Sequence, residues 1–273
     1  MSVIAISRGS LRATKMLAVG LSERLGNKIV SREEVYEAAA KYGILDTKLG
    51  GDEIIEQKTP GFWDRHSDKR RQYLACFKAA LLDFAMEDSI IYHGHLAHIL
   101  LTEIPFVLRV KLDAPLEKRI ELLINEKNVS HEEAVQIIND IDMHRLNWAK
   151  FLYNVDSRDP LNYDIQVNLA KMNIQTGIEI VATAAAAKEF QPSDKTMKDL
   201  KDLHLAALLQ ILVISSPRTH GMELDISADS ATGKVKVAGS VPIMGGHTWE
   251  ADIKATLSEH EAVKEVEIMV DSK

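Results

Sequence analysis

The chain has 273 residues, 46% of them hydrophobic and 27% charged, with a formal net charge of −7. This is the make-up of a globular protein with a real core and room for one large domain or two ordinary ones, and the acidic balance excludes duplex nucleic acid as a main partner, since neutralising phosphates needs a basic face. The single cysteine, Cys76, excludes an internal disulfide and a cysteine-rich zinc site; within the apolar helical run LACFKAALLDFA it reads as a buried, inert thiol.

Five short β-rich runs punctuate the first two-thirds: VIAIS (3–7), KIVS (28–31), SIIYH (89–93), FVLRVKL (106–112) and YDIQVNL (163–169). Most are continuously apolar, as strands buried on both faces of a parallel sheet must be. Helical patterns separate them. Residues 14–25 carry Leu17, Leu21 and Leu25 at i, i+4, i+8, and residues 32–42 open with the capping box Ser31-Arg-Glu-Glu34. Residues 67–86 and 115–125 follow, and Ser130-His-Glu-Glu133 caps a helix running towards Tyr153. Alternation of strand and helix predicts an α/β doubly wound domain whose ligands sit beyond the carboxyl ends of the strands. The segments after Ile6, Tyr92 and Leu112 then share one rim.

A helix over residues 176–190 closes this domain, and QPSDK (191–195) reads as a linker. A helix over 200–213, alternating strands at 222–228 and 234–241, a helix at 248–257 and a strand at 263–270 predict a small α-β-β-α-β unit. The predicted division is therefore 1–190, a linker at 191–199 and a second domain at 200–273. The apolar run at residues 3–6 is short for a signal-peptide core, and that at 205–214 is interrupted by Gln210 and too short to span a bilayer. No transmembrane segment and a cytoplasmic location are expected.

The stretch ISRGSLRATKM (6–16) links the first strand to the first helix, where phosphate loops lie. Against G-x-x-x-x-G-K-[ST], Gly9 and Lys15 are in place, whereas Thr14 stands for the second glycine and Met16 for the hydroxyl residue. Ser7, Arg8, Gly9, Ser10, Arg12, Ala13 and Thr14 form the candidate loop: electropositive and rich in hydroxyls, yet restricted by the β-carbons of Leu11 and Ala13. A phosphate site and an ordinary strand-to-helix turn both fit. His93, His95 and His98 at the end of the third strand raise a metal site, but no neighbouring carboxylate or cysteine completes a ligand set, and no bound metal is expected.

Several collinear segments resemble the cytidylate kinase-like family, whose loop typically reads I-S-R-E-x-G-S-G-G-[RK]. They are ISR (6–8) with Lys15 in register, SREEVYEAAAKYGI (31–44), LDAPLEKRI (112–120), SHEEAVQIINDIDMHR (130–145), and Tyr163-Asp164-Ile165 with Asn168. The resemblance covers residues 1–190. It implies a P-loop kinase-like parallel five-stranded sheet flanked by helices, with the α-β-β-α-β unit as a small α+β C-terminal domain. It also implies transfer of the ATP γ-phosphoryl to CMP or a related pyrimidine monophosphate, with Mg²⁺ on the donor phosphates. Lys15, Arg119, Asp142 and Arg145 match the family's catalytic positions, Asp142 either orienting Arg145 or capping its helix. The family's three loop glycines correspond to Leu11, Ala13 and Thr14, and its G-R-G after the third strand to His93-Gly94-His95. Arg70 and Arg71, with His93 and His95, are then the acceptor-side candidates.

Two functions follow from this pattern: an active nucleoside monophosphate kinase, or a catalytically degenerate nucleotide- or anion-sensing protein that signals through its C-terminal domain. That domain resembles a BON domain in element order and in the Gly233 turn, which implies a protein or lipid partner; homodimerisation is the plainer reading of the same surface.

Overall fold

The computed structural model describes residues 2–7, 11–43, 68–87, 89–94, 96–241 and 249–272. They form two compact units: the described residues of Met1–Glu37 and Glu87–Pro192, and those of Ala38–Leu45, His66–Met86 and Ser193–Lys273.

In the first unit, β1 (Val3–Ser7), β2 (Lys28–Ser31), β3 (Ile90–Gly94), β4 (Val107–Asp113) and β5 (Ile165–Asn168) make one sheet in the order β2-β3-β1-β4-β5, all neighbours parallel. All five residues of β1 and of β3 are buried, whereas the edge strands β2 and β5 alternate with exposed positions. The continuous apolar runs thus mark the central strands. Helices α1 (Leu11–Leu25) and α7 (Ile174–Ala185) pack together on the sheet, and Leu17, Leu21, Ile178 and Val181 join Ile4, Ile6 and Val110 in its core. Gly20 lets the two helices approach: a β-carbon there would stand 2.2 Å from Cδ1 of Ile178. From central β1 the chain runs first to one side and later to the other, so the crevice at its carboxyl end is the switch point where α/β sheets bind ligands.

After β4, α5 (Leu116–Lys127) packs against α6 (His131–Tyr153). The predicted capping box at Ser130 is present, with Ser130 Oγ accepting from the Glu133 amide and the Glu133 carboxylate accepting from that of Ser130.

The second unit contains α8 (Asp194–Ser215), β6 (Glu223–Asp229), β7 (Lys234–Val241), α9 (Trp249–Leu257) and β8 (Glu265–Ser272), the predicted α-β-β-α-β order. Its sheet runs β6-β7-β8, antiparallel then parallel, over a core of Leu205, Leu209, Val213, Leu224, Val237 and Ile253. One boundary differs from the sequence reading. Ser193 caps α8 reciprocally with Thr196, so residues 194–199 are helical rather than linker. The signal was masked because a threonine, not a glutamate or glutamine, fills the third position. This unit also takes in α3 (Asp68–Glu87), up to Met86, and the turn Ala40–Tyr42.

Gly239 in β7 has φ +131, and a β-carbon would stand 2.1 Å from the Glu223 carbonyl oxygen. Gly239→Ala is therefore expected to destabilise this unit by about 2–3 kcal/mol, read as a lower urea midpoint, because both backbone strain and a clash with main chain must be absorbed.

Candidate active site

A cleft of about 400 Å³ opens in the first unit at the carboxyl edge of the sheet. Its floor is Ser7, the last residue of β1, which is in register with Gly94 of β3 and Lys111 of β4. The walls bring together cations that are far apart in sequence: Lys111 from β4, Arg119 from α5, Arg145 from α6 and Arg158 from the turn after α6. Convergent cations in a concave site favour a polyanionic ligand such as a phosphate chain.

Three of these cations are already held by carboxylates. Arg119 is gripped in fork geometry: its Nη1 and Nη2 donate to the two Asp142 oxygens at 2.7 Å each. Arg158 bonds Asp156 through Nε at 3.0 Å and Nη2 at 2.7 Å, and holds that carboxyl well below its usual range. Lys111 lies 3.2 Å from Asp113 and 5.7 Å from the centre of the Tyr163 ring. Asp142, expected either to orient Arg145 or to cap its helix, bonds Arg119 on the facing helix. A side chain on the facing helix can meet both oxygens coplanarly, which a neighbour three residues along the same helix does less well.

Beneath the cations lies a buried polar chain. The His98 amide donates to Ser7 Oγ at 3.3 Å, Ser7 Oγ also bonds His98 Nδ1, and His98 Nε2 lies 3.4 Å from the Tyr163 hydroxyl. That hydroxyl donates to the Ser157 carbonyl at 2.7 Å. His98 is 2% exposed; burial first, then the positive charges of Arg109 and Lys111, push its pKa down to about 3, so it is neutral at physiological pH. Burial likewise raises the Tyr163 hydroxyl, which keeps its proton. Leu96, just before the short helix α4 (Ala97–Leu100) that carries His98, has the left-handed backbone (φ 64, ψ 15) that a bulky side chain rarely adopts.

The Tyr163-Asp164-Ile165 motif divides its work. Tyr163 lines the cleft, Asp164 accepts from the Arg109 amide at 2.8 Å and from its guanidinium at 3.1 and 2.7 Å, and Asn168 accepts from the Ala170 amide. Of the three, only the tyrosine is among the cleft-lining residues; Asp164 ties the start of β5 to β4, and Asn168 closes the turn that follows β5.

Of the residues singled out from sequence, Ser7, His98, Arg119, Asp142, Arg145 and Tyr163 meet in the cleft. Helix α1 begins at Leu11, so Arg12, Ala13, Thr14 and Lys15 are helical. Ala13 and Thr14 turn into the core, at 9% and 0% exposure, while Arg12 and Lys15 lie on the exposed face and are not among the described residues lining the cleft. Leucine and alanine where glycines were the pattern favour helix, so the chain enters it early. What α1 still offers an anion is its first-turn amides, which have no acceptor within the helix. His93 is buried in β3, and Arg71 stands on α3 in the second unit. Arg8, Gly9, Ser10, His95 and the Arg70 side chain lie outside the described residues.

Sequence reasoning missed Lys111 and Arg158, which carry no motif, and Asp113, which lies in the LDAPLEKRI segment but was not singled out; it took His98 only as a metal candidate. Among the described residues there is no cluster of three histidine, cysteine or acidic side chains able to hold a metal ion. No helix of the described residues is long and apolar enough to cross a membrane.

Comparison with known proteins bears on this geometry. The family model described as the cytidylate kinase-like family matches residues 3–171. A cytidylate kinase from Pyrococcus horikoshii is 27% identical over 121 residues, 44% of this chain; the match spans 57% of that relative's length. Among solved structures, an uncharacterized protein from Eubacterium ventriosum is similar with a TM-score of 0.50 at 16% identity, covering 67% of this chain and 97% of the other. A shikimate kinase from Bacteroides thetaiotaomicron aligns with a TM-score of 0.39 at 10% identity, over 68% of this chain and 99% of the other.

Proposed function

Because the chain belongs to the cytidylate kinase-like family, we propose that it is a nucleoside monophosphate kinase, moving the γ-phosphoryl of ATP to CMP or a related pyrimidine monophosphate. One observation carries this reading: Lys111, Arg119, Arg145 and Arg158 converge on a cleft at the switch point of the sheet. Phosphoryl transfer asks a protein for positioning and for positive charge around the moving group, and little covalent chemistry. Arg119, fixed by Asp142, supplies a rigid fork of donors; Arg145, Arg158 and Lys111 add charge from the other walls. The cytidylate kinase relative supports CMP as the acceptor, and Lys15 on the first turns of α1 supplies charge at the helix end.

These cations fit the phosphates of a nucleotide. The residues fit a protein-held Mg²⁺ poorly: Met16, 49% exposed, offers no hydroxyl after Lys15, and Asp113 and Asp142 are each bonded to a cation. Mg²⁺ would then enter with ATP as part of the substrate.

The early start of α1 favours a second reading, a degenerate nucleotide- or anion-sensing protein whose cleft binds without turnover. The C-terminal α-β-β-α-β unit, read as BON-like, would then be the part that meets a protein, a lipid or a second copy. Calorimetric titration with ATP–Mg²⁺ and CMP, followed by an ADP-release assay over a panel of monophosphates, separates the two. Turnover is the expected result, and binding without turnover supports the sensor. Absence of binding at millimolar nucleotide overturns both.

A further inference from the structure

We propose that His98 is a positioning residue: its neutral, Nε2-protonated imidazole couples Ser7, at the end of β1, to the turn that carries Arg158. The inference rests on the cleft's reading as a phosphate site, but its geometry stands apart from that reading.

The polarity of the chain follows from counting protons. The Tyr163 hydroxyl has one hydrogen, and at 2.7 Å from the Ser157 carbonyl it is spent there, because a carbonyl can only accept. Towards His98 the tyrosine oxygen must therefore accept, which puts a hydrogen on Nε2. The imidazole is neutral, so Nδ1 is an acceptor and Ser7 Oγ–H donates to it. Ser7 Oγ in turn accepts from the His98 amide. With Nε2 protonated both contacts of the His98 ring are made; the other neutral tautomer sets the Nε2 lone pair against the tyrosine's.

The Ser157 end of the chain is the root of the Arg158 turn. That turn has little else buried to hold it: the Arg158 side chain is 68% exposed, and its other bonds run to Asp156, two residues away. Asn162 Nδ2 to the Asp156 carbonyl closes the same local loop without reaching the sheet. Tyr163, its ring tilted against that of His98 with centroids 4.5 Å apart, ties the turn to the carboxyl end of β1 through His98 and Ser7. The left-handed Leu96, itself 2% exposed, aims His98 at both partners, a strain that a purely space-filling residue would not need.

The test uses the full-length protein, with ATP as the probe. His98→Phe is expected to weaken ATP binding roughly fivefold to tenfold, the size of a coupling between neighbours. In an Arg158→Ala background the same change should cost no further affinity, because the turn then has no guanidinium to place. Nitrogen NMR should show His98 protonated at Nε2 and bare at Nδ1. Losses that multiply between His98→Phe and Arg158→Ala, or a proton on Nδ1, overturn the proposal. Should His98→Phe not fold, Tyr163→Phe removes only the hydroxyl and replaces it in the same cycle. If the wild type binds no ATP, the phosphate reading fails, and the amide signals of residues 156–162 decide the coupling. They shift in the variant if it exists, and stay in place if it does not.

Discussion

Arg119→Ala is expected to lower kcat/KM for phosphoryl transfer by about 10²–10³-fold, the usual cost of removing one preorganised donor from a developing charge. The geometry makes this the most damaging single change in the cleft. The guanidinium is 17% exposed and locked by two 2.7 Å bonds, so it requires no reorganisation when charge develops beside it. Its removal also leaves the Asp142 carboxylate in the cleft, repelling the phosphates that Arg119 would have attracted. Two companions separate these effects. Arg119→Lys keeps the charge but not the fork and should recover only a small part of the rate. Asp142→Asn keeps the guanidinium but frees its orientation, for an expected loss of about tenfold. Steady-state ADP release with CMP as acceptor measures all three. Equal rates for Arg119→Ala and wild type would place the transferred group elsewhere.

The parts of this site differ in how far the sequence revealed them. The sheet was legible because β1 and β3 are buried throughout and largely apolar and β4 alternates buried apolar with half-exposed polar residues, and Ser130 could be read as a cap because both halves of its box are local. Arg119, Asp142 and Arg145 were legible through collinear resemblance, yet the bond from Asp142 crosses between helices and no spacing rule reports it. Lys111 and Arg158 were hidden because a lysine in a strand and an arginine in a turn ordinarily read as solvated surface; only the register of β4 with β1 and the fold of the 154–162 turn bring them to one cleft. His98 was read for its metal-ligand spacing, whereas the structure engages both its ring nitrogens with hydroxyl groups. The second half of the candidate phosphate loop, from Leu11 on, forms the first turn of α1, as the helix propensity of Leu11 and Ala13 favours.

Asp83→Asn is expected to cost about 2–3 kcal/mol of stability in the second unit, more than any surface ion pair would explain. The carboxylate sits on α3, 19% exposed, and takes bonds from Lys41 Nζ at 2.8 Å, the Tyr42 hydroxyl at 2.8 Å and His204 Nε2 at 2.7 Å. It therefore ties α3 both to the turn Ala40–Tyr42 and to α8. An asparagine accepts through one oxygen only, and its amide hydrogens face donors. The partners should weigh unequally. Lys41→Met should matter little, since its side chain is 57% exposed, while Tyr42→Phe should cost about 1 kcal/mol for one lost bond. Acid provides an independent check. Burial disfavours the charged carboxylate, but the bonds from His204, Lys41 and Tyr42 outweigh it and draw the pKa down to about 2 from 3.8. A carboxyl depressed on folding contributes stability that is complete above its unfolded value and lost as pH falls through the folded one. Wild-type stability should thus fall between about pH 4 and pH 2 by roughly 1–2 kcal/mol from this group, after allowance for its partial exposure. The corresponding limb should flatten in Asp83→Asn. Urea denaturation at a series of pH values, followed by amide exchange in α3 and α8, reads both effects. Loss of protection in α8 together with α3 would mean that α3 is held as a structural part of the C-terminal unit. Loss in α3 alone would mean that His204 contributes no more than a surface contact.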